Sequence, residues 1–371
     1  MKLLILSCST GDGHNSAARA LLEAAERWGI EAVLRDPVSF EGELAQKAVA
    51  DLYNNMIRLT PKLFGAVYRA GDLLDRTGLK SPVYAANAVY RDDLADFLAS
   101  EKIDAVISTH LYGMEAMTAV NHHAPAHIPS YGVLTDYTCI PFFGEPELDG
   151  CFLPHADLMD EAVSKGIPRE KILPTGIPVS ARFGGDIARE AARELIGIPE
   201  SVKAYLLMSG GVGCGNMTRL CSAFMERIGV GECLLVLTGR NTAMKEELDK
   251  RYAGDDRMKT VSFTREVPAY MKAADVLVSK AGGLSSTEAA VAGVPLVHLM
   301  TIPGCETKNA EFFEAREMAR RAKSEKDAVS LALDLAGDRI AAARMRENQK
   351  RNTHADASDK VIDYVLNNAV R

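Results

Sequence analysis

Short apolar, β-branched runs alternate throughout this chain with stretches of helical periodicity, and one Pro- and Gly-containing stretch near the middle interrupts the alternation. Such a pattern is satisfied by parallel strands joined through crossover helices, and by little else. In the first half, strands are expected near Lys2–Cys8, Glu31–Leu34, Asp104–Thr109, Ser130–Thr135 and Gly150–Leu153. In the second half they are expected near Ala204–Ser209, Cys233–Thr238, Thr260–Phe263, Asp275–Ser279 and Pro295–Leu299. Helical patterns in Glu43–Leu59, Pro61–Asp75 and Pro82–Ala99 form a long insert, about residues 43–100, between the second and third strands. The interruption at Pro174-Thr175-Gly176-Ile177-Pro178-Val179 divides the chain into domains 1–178 and 179–371, and the helical tail from about Ser358 is expected to return onto the first. The fold class is therefore α/β, with two doubly wound, Rossmann-like domains. Facing each other across a cleft, they would put the C-terminal ends of both sets of strands at its mouth, where open α/β sheets bind ligands.

Bulk properties narrow the function. A length of 371 residues suits two domains, and 47% hydrophobic with 25% charged residues is ordinary globular material. The net charge of −7 argues against a broad basic face, so nucleic acid is not an expected partner. The seven cysteines (Cys8, Cys139, Cys151, Cys214, Cys221, Cys233 and Cys305) form no CxxC pair, which fits a reduced, cytoplasmic setting. The apolar start Met1–Cys8 is too short for a secretory signal, and no apolar run approaches the roughly 18 residues that span a bilayer. Any work on lipid would be done from the membrane surface. His122, His123 and His127 lie in a polar, Pro-containing stretch without a ligand frame and are expected at the surface, so no metal site is assigned.

The loops at strand ends carry the chemistry. Asp275–Ser279 runs into Lys280-Ala281-Gly282-Gly283-Leu284-Ser285-Ser286-Thr287-Glu288 and then an Ala-rich helix. Glycines admit close backbone approach, a helix start offers N–H groups and positive potential, and Glu288 can accept from ribose hydroxyls, an order that suits a nucleoside diphosphate. Gly210, Gly211 and Gly213 follow an earlier strand of the same half, where their backbone can meet a pyrophosphate. Arg240 at the next strand end can neutralise phosphate, and backbone groups of Phe263 and Thr264 are placed to read a base edge.

In the first half, Ser9-Thr10-Gly11-Asp12-Gly13-His14-Asn15-Ser16 joins the first strand to a helix, and is neither a Walker A loop nor a complete GxGxxG fingerprint. At a helix start the dipole disfavours imidazolium, so His14 would be neutral and able to take a proton. The loop is equally consistent with a histidine that only packs at the turn. Leu134-Thr135-Asp136-Tyr137 places Asp136 at another strand end, as a cap or as a group that orients His14.

The Lys280–Glu288 block, with Ile302-Pro303-Gly304-Cys305-Glu306-Thr307-Lys308-Asn309, closely resembles the nucleotide-sugar half of monogalactosyldiacylglycerol synthases and their bacterial relatives, the diacylglycerol glucosyltransferases. These are related to the peptidoglycan N-acetylglucosaminyltransferase. The His14 loop is similar to the glycine–histidine motif of that family, and the Thr135–Tyr137 segment to its Thr-Asp-aromatic motif. The resemblance implies a GT-B fold and inverting transfer of a hexose from UDP-glucose or UDP-galactose to diacylglycerol, with no permanently bound cofactor and no metal required. It makes His14 the base, with Asp136 beside it. It gives the donor to Gly210, Gly211, Gly213, Arg240, Phe263, Thr264, Lys280, Gly282, Gly283, Ser285, Ser286, Thr287, Glu288, Gly304, Cys305, Glu306 and Asn309. Here Glu288 would hold the ribose, and Glu306 and Asn309 the sugar hydroxyls.

The sequence departs from the family pattern at Asp12, at Thr138–Ile140 where a histidine is common, and at Cys305 where a glutamine is common. Two other functions therefore stay open: transfer of N-acetylglucosamine to a polyprenyl-linked acceptor, and a non-catalytic nucleotide-sugar-binding or membrane-adaptor role. The insert mixes Leu52, Tyr53, Met56, Ile57, Phe64 and Tyr68 with Lys47, Arg58, Lys62, Arg69, Arg76 and Lys80. It reads either as amphipathic helices packed on their own sheet or as a surface for an anionic membrane, which would hold the protein peripherally at the inner face of the cell membrane.

Overall fold

The computed structural model describes residues 1–8, 12–42, 80–185, 187–208, 217–299 and 304–369. The expected helical patterns Glu43–Leu59 and Pro61–Asp75, and the glycines Gly210, Gly211 and Gly213, lie outside these residues. Two compact units emerge: Met1–Ala181 with Pro303–Cys305 and His354–Arg371, and Arg182–Ile302 with Glu306–Thr353.

The first unit is built on a six-stranded, all-parallel sheet: β1 (Lys2–Leu6), β2 (Glu31–Arg35), β3 (Ala105–Ser108), β4 (Ser130–Val133), β5 (Gly150–Phe152) and β6 (Ile172–Leu173), in the order β2-β1-β3-β4-β5-β6. Central β1 shows why its sequence is apolar without alternation. Leu3 and Ile5 pack under helix Asp12–Arg27 and helix Ala357–Asn368, while Leu4 and Leu6 pack against Leu94, Leu98, Met117 and Val120 on the other face. A strand covered on both faces has no position for a polar residue. Helix Asp12–Arg27 buries a stripe of Ala17, Ala18, Leu21, Ala24 and Ala25, and the small side chains let it lie close to the sheet. Ser358 donates to the Val179 carbonyl at 3.0 Å, and Arg27 and Trp28 both donate to Asp359, so the C-terminal helix is integral to this unit.

The second unit repeats the plan with β7 (Lys203–Met208), β8 (Glu232–Gly239), β9 (Met258–Ser262), β10 (Val276–Ser279), β11 (Leu296–Leu299) and β12 (Arg320–Ala322). Their order, β12-β11-β10-β7-β8-β9, is that of a Rossmann sheet, again all parallel. The strands expected from the apolar runs are present with ends shifted by up to two residues; β6 and β12 were not foreseen. The expected helix Pro82–Ala99 is broken into Pro82–Asn87 and Arg91–Ser100, a break that tucks Tyr90 into the core with its hydroxyl on Asn87.

One buried pair makes the first unit sensitive to alkali. Neither oxygen of fully buried Glu115 nor Oε2 of Glu145 has a donor among the described residues, while Glu145 Oε1 accepts from the Ser81 amide at 2.7 Å. Burial, and then the neighbouring Glu145, push the Glu115 carboxyl up to about 9. The native chain thus keeps a proton that the unfolded chain releases, and stability falls as pH rises toward that value. Glu115→Gln supplies a permanent donor, and is expected to flatten this dependence and raise stability near pH 8 by about 1 kcal/mol. Urea unfolding of both proteins at about pH 6 and about pH 8 checks it; identical pH responses would remove the Glu115 proton from the account.

Candidate functional site

In the first sheet the chain passes from β1 to β2 on one side and resumes with β3 on the other, so the loops after β1 and β3 diverge and leave a crevice at the strand C-termini. His14 stands there, in the first turn of helix Asp12–Arg27. Its Nδ1 lies 2.9 Å from the Thr109 carbonyl, just past β3, and 2.9 Å from Thr135 Oγ1, just past β4. Thr109 Oγ1 in turn donates to the His14 carbonyl at 3.1 Å. A carbonyl only accepts, so Nδ1 carries the ring proton and Nε2 holds the lone pair. Burial lowers the His14 pKa; the Asp136 charge and the Thr109 bond act against this and lose. The neutral ring expected from the helix dipole is thus secured mainly by desolvation.

Asp136 is half-buried in the loop after β4, close enough for its charge to act on His14. Thr138 Oγ1 and the Cys139 amide both donate to Glu161 Oε1, at 2.8 and 3.0 Å, so this segment is pinned to the helix Met159–Ser164. Sequence reasoning missed His110. It caps helix Leu111–His123 by accepting from the Tyr112 amide through Nδ1 at 3.2 Å, and its ring stands edge-on to His14 with centroids 4.7 Å apart. Burial, and then the charge of His14, hold it well below the usual histidine range. Its position directly after a strand, in Ser108-Thr109-His110, was the available signal.

The second sheet reverses direction between β7 and β10, which brings the loops after those strands to its crevice. After β10, Gly282 precedes helix Gly283–Ala292 at φ −71° and ψ 137°, and no side chain caps the helix. The first intrahelical bond runs from the Ser286 amide to the Gly282 carbonyl at 3.0 Å, so the amides of Gly283, Leu284 and Ser285 precede the ladder. Lys280 Nζ meets Glu306 Oε1 at 2.6 Å, and buried Asn309 donates to the Ala281 carbonyl at 3.0 Å. Glu306 and Asn309 therefore brace the Lys280 loop from helix Cys305–Ala315, with Gly304 taking φ +117° ahead of Cys305.

Ser285 and Glu288 are half-buried on the outer side of the Gly283–Ala292 helix. Ser286 and Thr287 are buried: the Ser286 hydroxyl is 2.9 Å from His298 Nε2, and Thr287 Oγ1 donates to the Gly283 carbonyl at 2.7 Å. Both point into the domain because they occupy the sheet-facing side of the helix, where they fix its start. Exposed Arg240, after β8, lies over the ring of Phe263, after β9, at 5.7 Å, and Phe263 is 63% exposed. Thr264 Oγ1 accepts from the Glu266 amide at 3.0 Å.

His122 and His127 are engaged separately, with Glu147 at 3.0 Å and Asp149 at 2.9 Å, while His123 bonds the Ala119 carbonyl. Among the described residues, no helix is long and apolar enough to cross a membrane.

Comparison with known proteins agrees with this arrangement. The monogalactosyldiacylglycerol (MGDG) synthase family matches residues 14–179, and the glycosyltransferase family 28 C-terminal domain matches residues 220–363. A processive diacylglycerol beta-glucosyltransferase of Bacillus cereus (strain B4264) is 25% identical over 98% of this chain and 93% of its own length. One from Bacillus mycoides (strain KBAB4) is 25% identical over the same shares. Among solved structures, MurG of Acinetobacter baumannii superimposes with a TM-score of 0.64 at 14% identity, over 99% of both chains. The S. aureus MnaA–UDP co-structure gives 0.63 at 15% identity, over 99% of this chain and 97% of the other. With both halves matched in order, the chain belongs to the monogalactosyldiacylglycerol synthase and diacylglycerol glucosyltransferase group of glycosyltransferase family 28, and it is a glycosyltransferase of the GT-B fold.

Proposed function

We propose that this enzyme transfers a hexose from UDP-glucose or UDP-galactose to the free hydroxyl of diacylglycerol, with inversion, to give a β-glycosyl diacylglycerol. The observation that carries the reading is the His14 tautomer, fixed by the Thr109 carbonyl, which leaves Nε2 as the proton acceptor. As the acceptor oxygen attacks the anomeric carbon, Nε2 takes its proton; the bond to the diphosphate oxygen breaks, and UDP departs with the electron pair. Asp136 stabilises the imidazolium that forms. Helix Gly283–Ala292 presents its uncapped start to the diphosphate, Arg240 adds positive charge, Lys280 is held beside the helix start by Glu306, Phe263 and Thr264 flank the base, and Glu288 holds the ribose. In this reading the 1–178 domain takes the acceptor and 179–371 the donor, and the enzyme works peripherally on the anionic inner face of the cell membrane. The names of the Bacillus relatives support the acceptor class and glucose as donor sugar.

The test is mass spectrometry of dioleoylglycerol in anionic liposomes after incubation with UDP-glucose, UDP-galactose or UDP-N-acetylglucosamine. A hexosyl-lipid product is expected. Turnover only on a polyprenyl-linked acceptor, or UDP binding without turnover on any lipid, would overturn it. The pH profile gives a second check. Because the His14 pKa is lowered, kcat/KM should stay level as pH falls to neutrality and decline only below the ordinary histidine value of 6.5. An acid limb centred above about pH 7 would exclude His14 as the base.

A further inference from the structure

At the opposite edge of the second sheet, where β7, β10 and β11 begin, lies a cavity of about 900 Å³ that the proposed transfer does not use. Six cationic side chains line it: Arg189, Arg193, Lys203, Lys272, Arg339 and Arg346. Only two carboxylates, Glu200 and Asp275, do so, in a chain whose net charge is −7.

The charges divide into a structural set and an open set. Buried Arg193 donates to the carbonyls of Ala273, Pro199, Glu200 and Val202 and pairs with Asp275 at 3.0 Å. Arg189 takes the other Asp275 oxygen at 2.7 Å and the Ala274 carbonyl at 3.0 Å. Asp275 also accepts from the Ala204 amide at 2.8 Å, so its acceptor capacity is committed to these partners. Arg346, which also lines the cavity, bonds the Gly293 carbonyl through Nε at 3.0 Å, so this bond does not occupy its terminal nitrogens. Lys203, Lys272, Arg339 and Arg346 form no ion pair with any described residue. Burial first, and then the like charge of Arg189, lower the Arg346 pKa, while the charge of Asp275 acts against this. Val202, Ala274, Leu335 and Ala342 supply an apolar part of the wall, so the volume suits an anion with an organic body, within the usual size of a ligand pocket.

We propose that this cavity binds the phosphate group of a phosphate ester, either a soluble metabolite or a lipid headgroup. A phosphate presents several acceptor oxygens to the Arg346 fork and to the ammonium groups of Lys272 and Lys203, and offsets the excess of cationic over carboxylate side chains in the lining.

Calorimetric titration with glycerol 3-phosphate and with inorganic phosphate, in saturating UDP so that the proposed donor site is filled, tests the soluble source. Flotation with phosphatidylglycerol vesicles against phosphatidylcholine vesicles tests the lipid source. The variant is Lys272→Glu with Arg339→Glu, two side chains without a hydrogen bond to any described residue; thermal unfolding confirms that it remains native. Saturable binding of either phosphate by the wild type, weakened about tenfold or more in the variant, supports a soluble ligand. Capture by phosphatidylglycerol alone, lost in the variant, supports the headgroup. No binding of any of these probes, or equal binding by the variant, overturns the site. A chain that does not bind UDP would sink the donor reading and leave the phosphate titrations valid.

Discussion

Replacing His14 by asparagine is expected to lower turnover roughly 100- to 10,000-fold, the span over which a positioned general base operates. Asparagine retains an N–H for the Thr109 carbonyl, which His14 now reaches at 2.9 Å, but has no counterpart to the Nε2 lone pair. His14→Ala would lose turnover to the same extent and also leave that carbonyl without its donor, so it should be the less stable of the two. UDP affinity should change by less than about twofold in both, because Arg240, Phe263, Gly282 and Glu288, to which the proposal gives the donor, belong to the other unit. Single-turnover kinetics beside calorimetry with UDP separates these effects. An asparagine variant that turns over like wild type would remove His14 from the chemistry.

Gly282→Val should do the reverse: weaken nucleotide binding strongly without harming the fold. At φ −71° and ψ 137° the backbone suits any L-residue, and an added Cβ would meet nothing closer than Lys280 Cε at 3.7 Å. The apo protein therefore has no need of a glycine here; a diphosphate seated on the amides of Gly283, Leu284 and Ser285 does. Blocking that approach removes about two charge-assisted hydrogen bonds, or roughly a hundredfold in UDP affinity, while the unfolding midpoint stays that of wild type. Unchanged UDP affinity in this variant would move the diphosphate away from the start of the Gly283–Ala292 helix.

Both predictions rest on features that differ in how far the sequence disclosed them. The parallel sheets were legible because strands such as Leu3–Leu6 are buried on both faces and carry no polar residue. Ile172–Leu173 and Arg320–Ala322 escaped because edge strands of two and three residues, one of them largely charged, leave no periodicity to read. His14 could be picked from its loop, whereas its tautomer could not, since the deciding carbonyl belongs to Thr109 and arrives through the pairing of β1 with β3. In the donor half, composition marked the hydroxyls of Ser285, Ser286 and Thr287 as one group. Helical phase then separated them, turning Ser286 toward His298 and leaving Ser285 outside. Nor did spacing announce that Glu306 would face Lys280, a contact that places a carboxylate against the ammonium group it neutralises.

The helix Ala357–Asn368 that covers Leu3 and Ile5 has a consequence for the order of synthesis. In connectivity, the second unit is inserted into the first, between Ala181 and His354 apart from the short return at Pro303–Cys305. A ribosome therefore completes the first sheet and then makes nearly all of the second unit before it delivers Val361, Ile362 and Val365. At ordinary elongation rates that interval is on the order of ten to thirty seconds. Throughout it, one apolar face of the earlier sheet is without its last helix, so the nascent first unit must wait, or be shielded, until that helix is made.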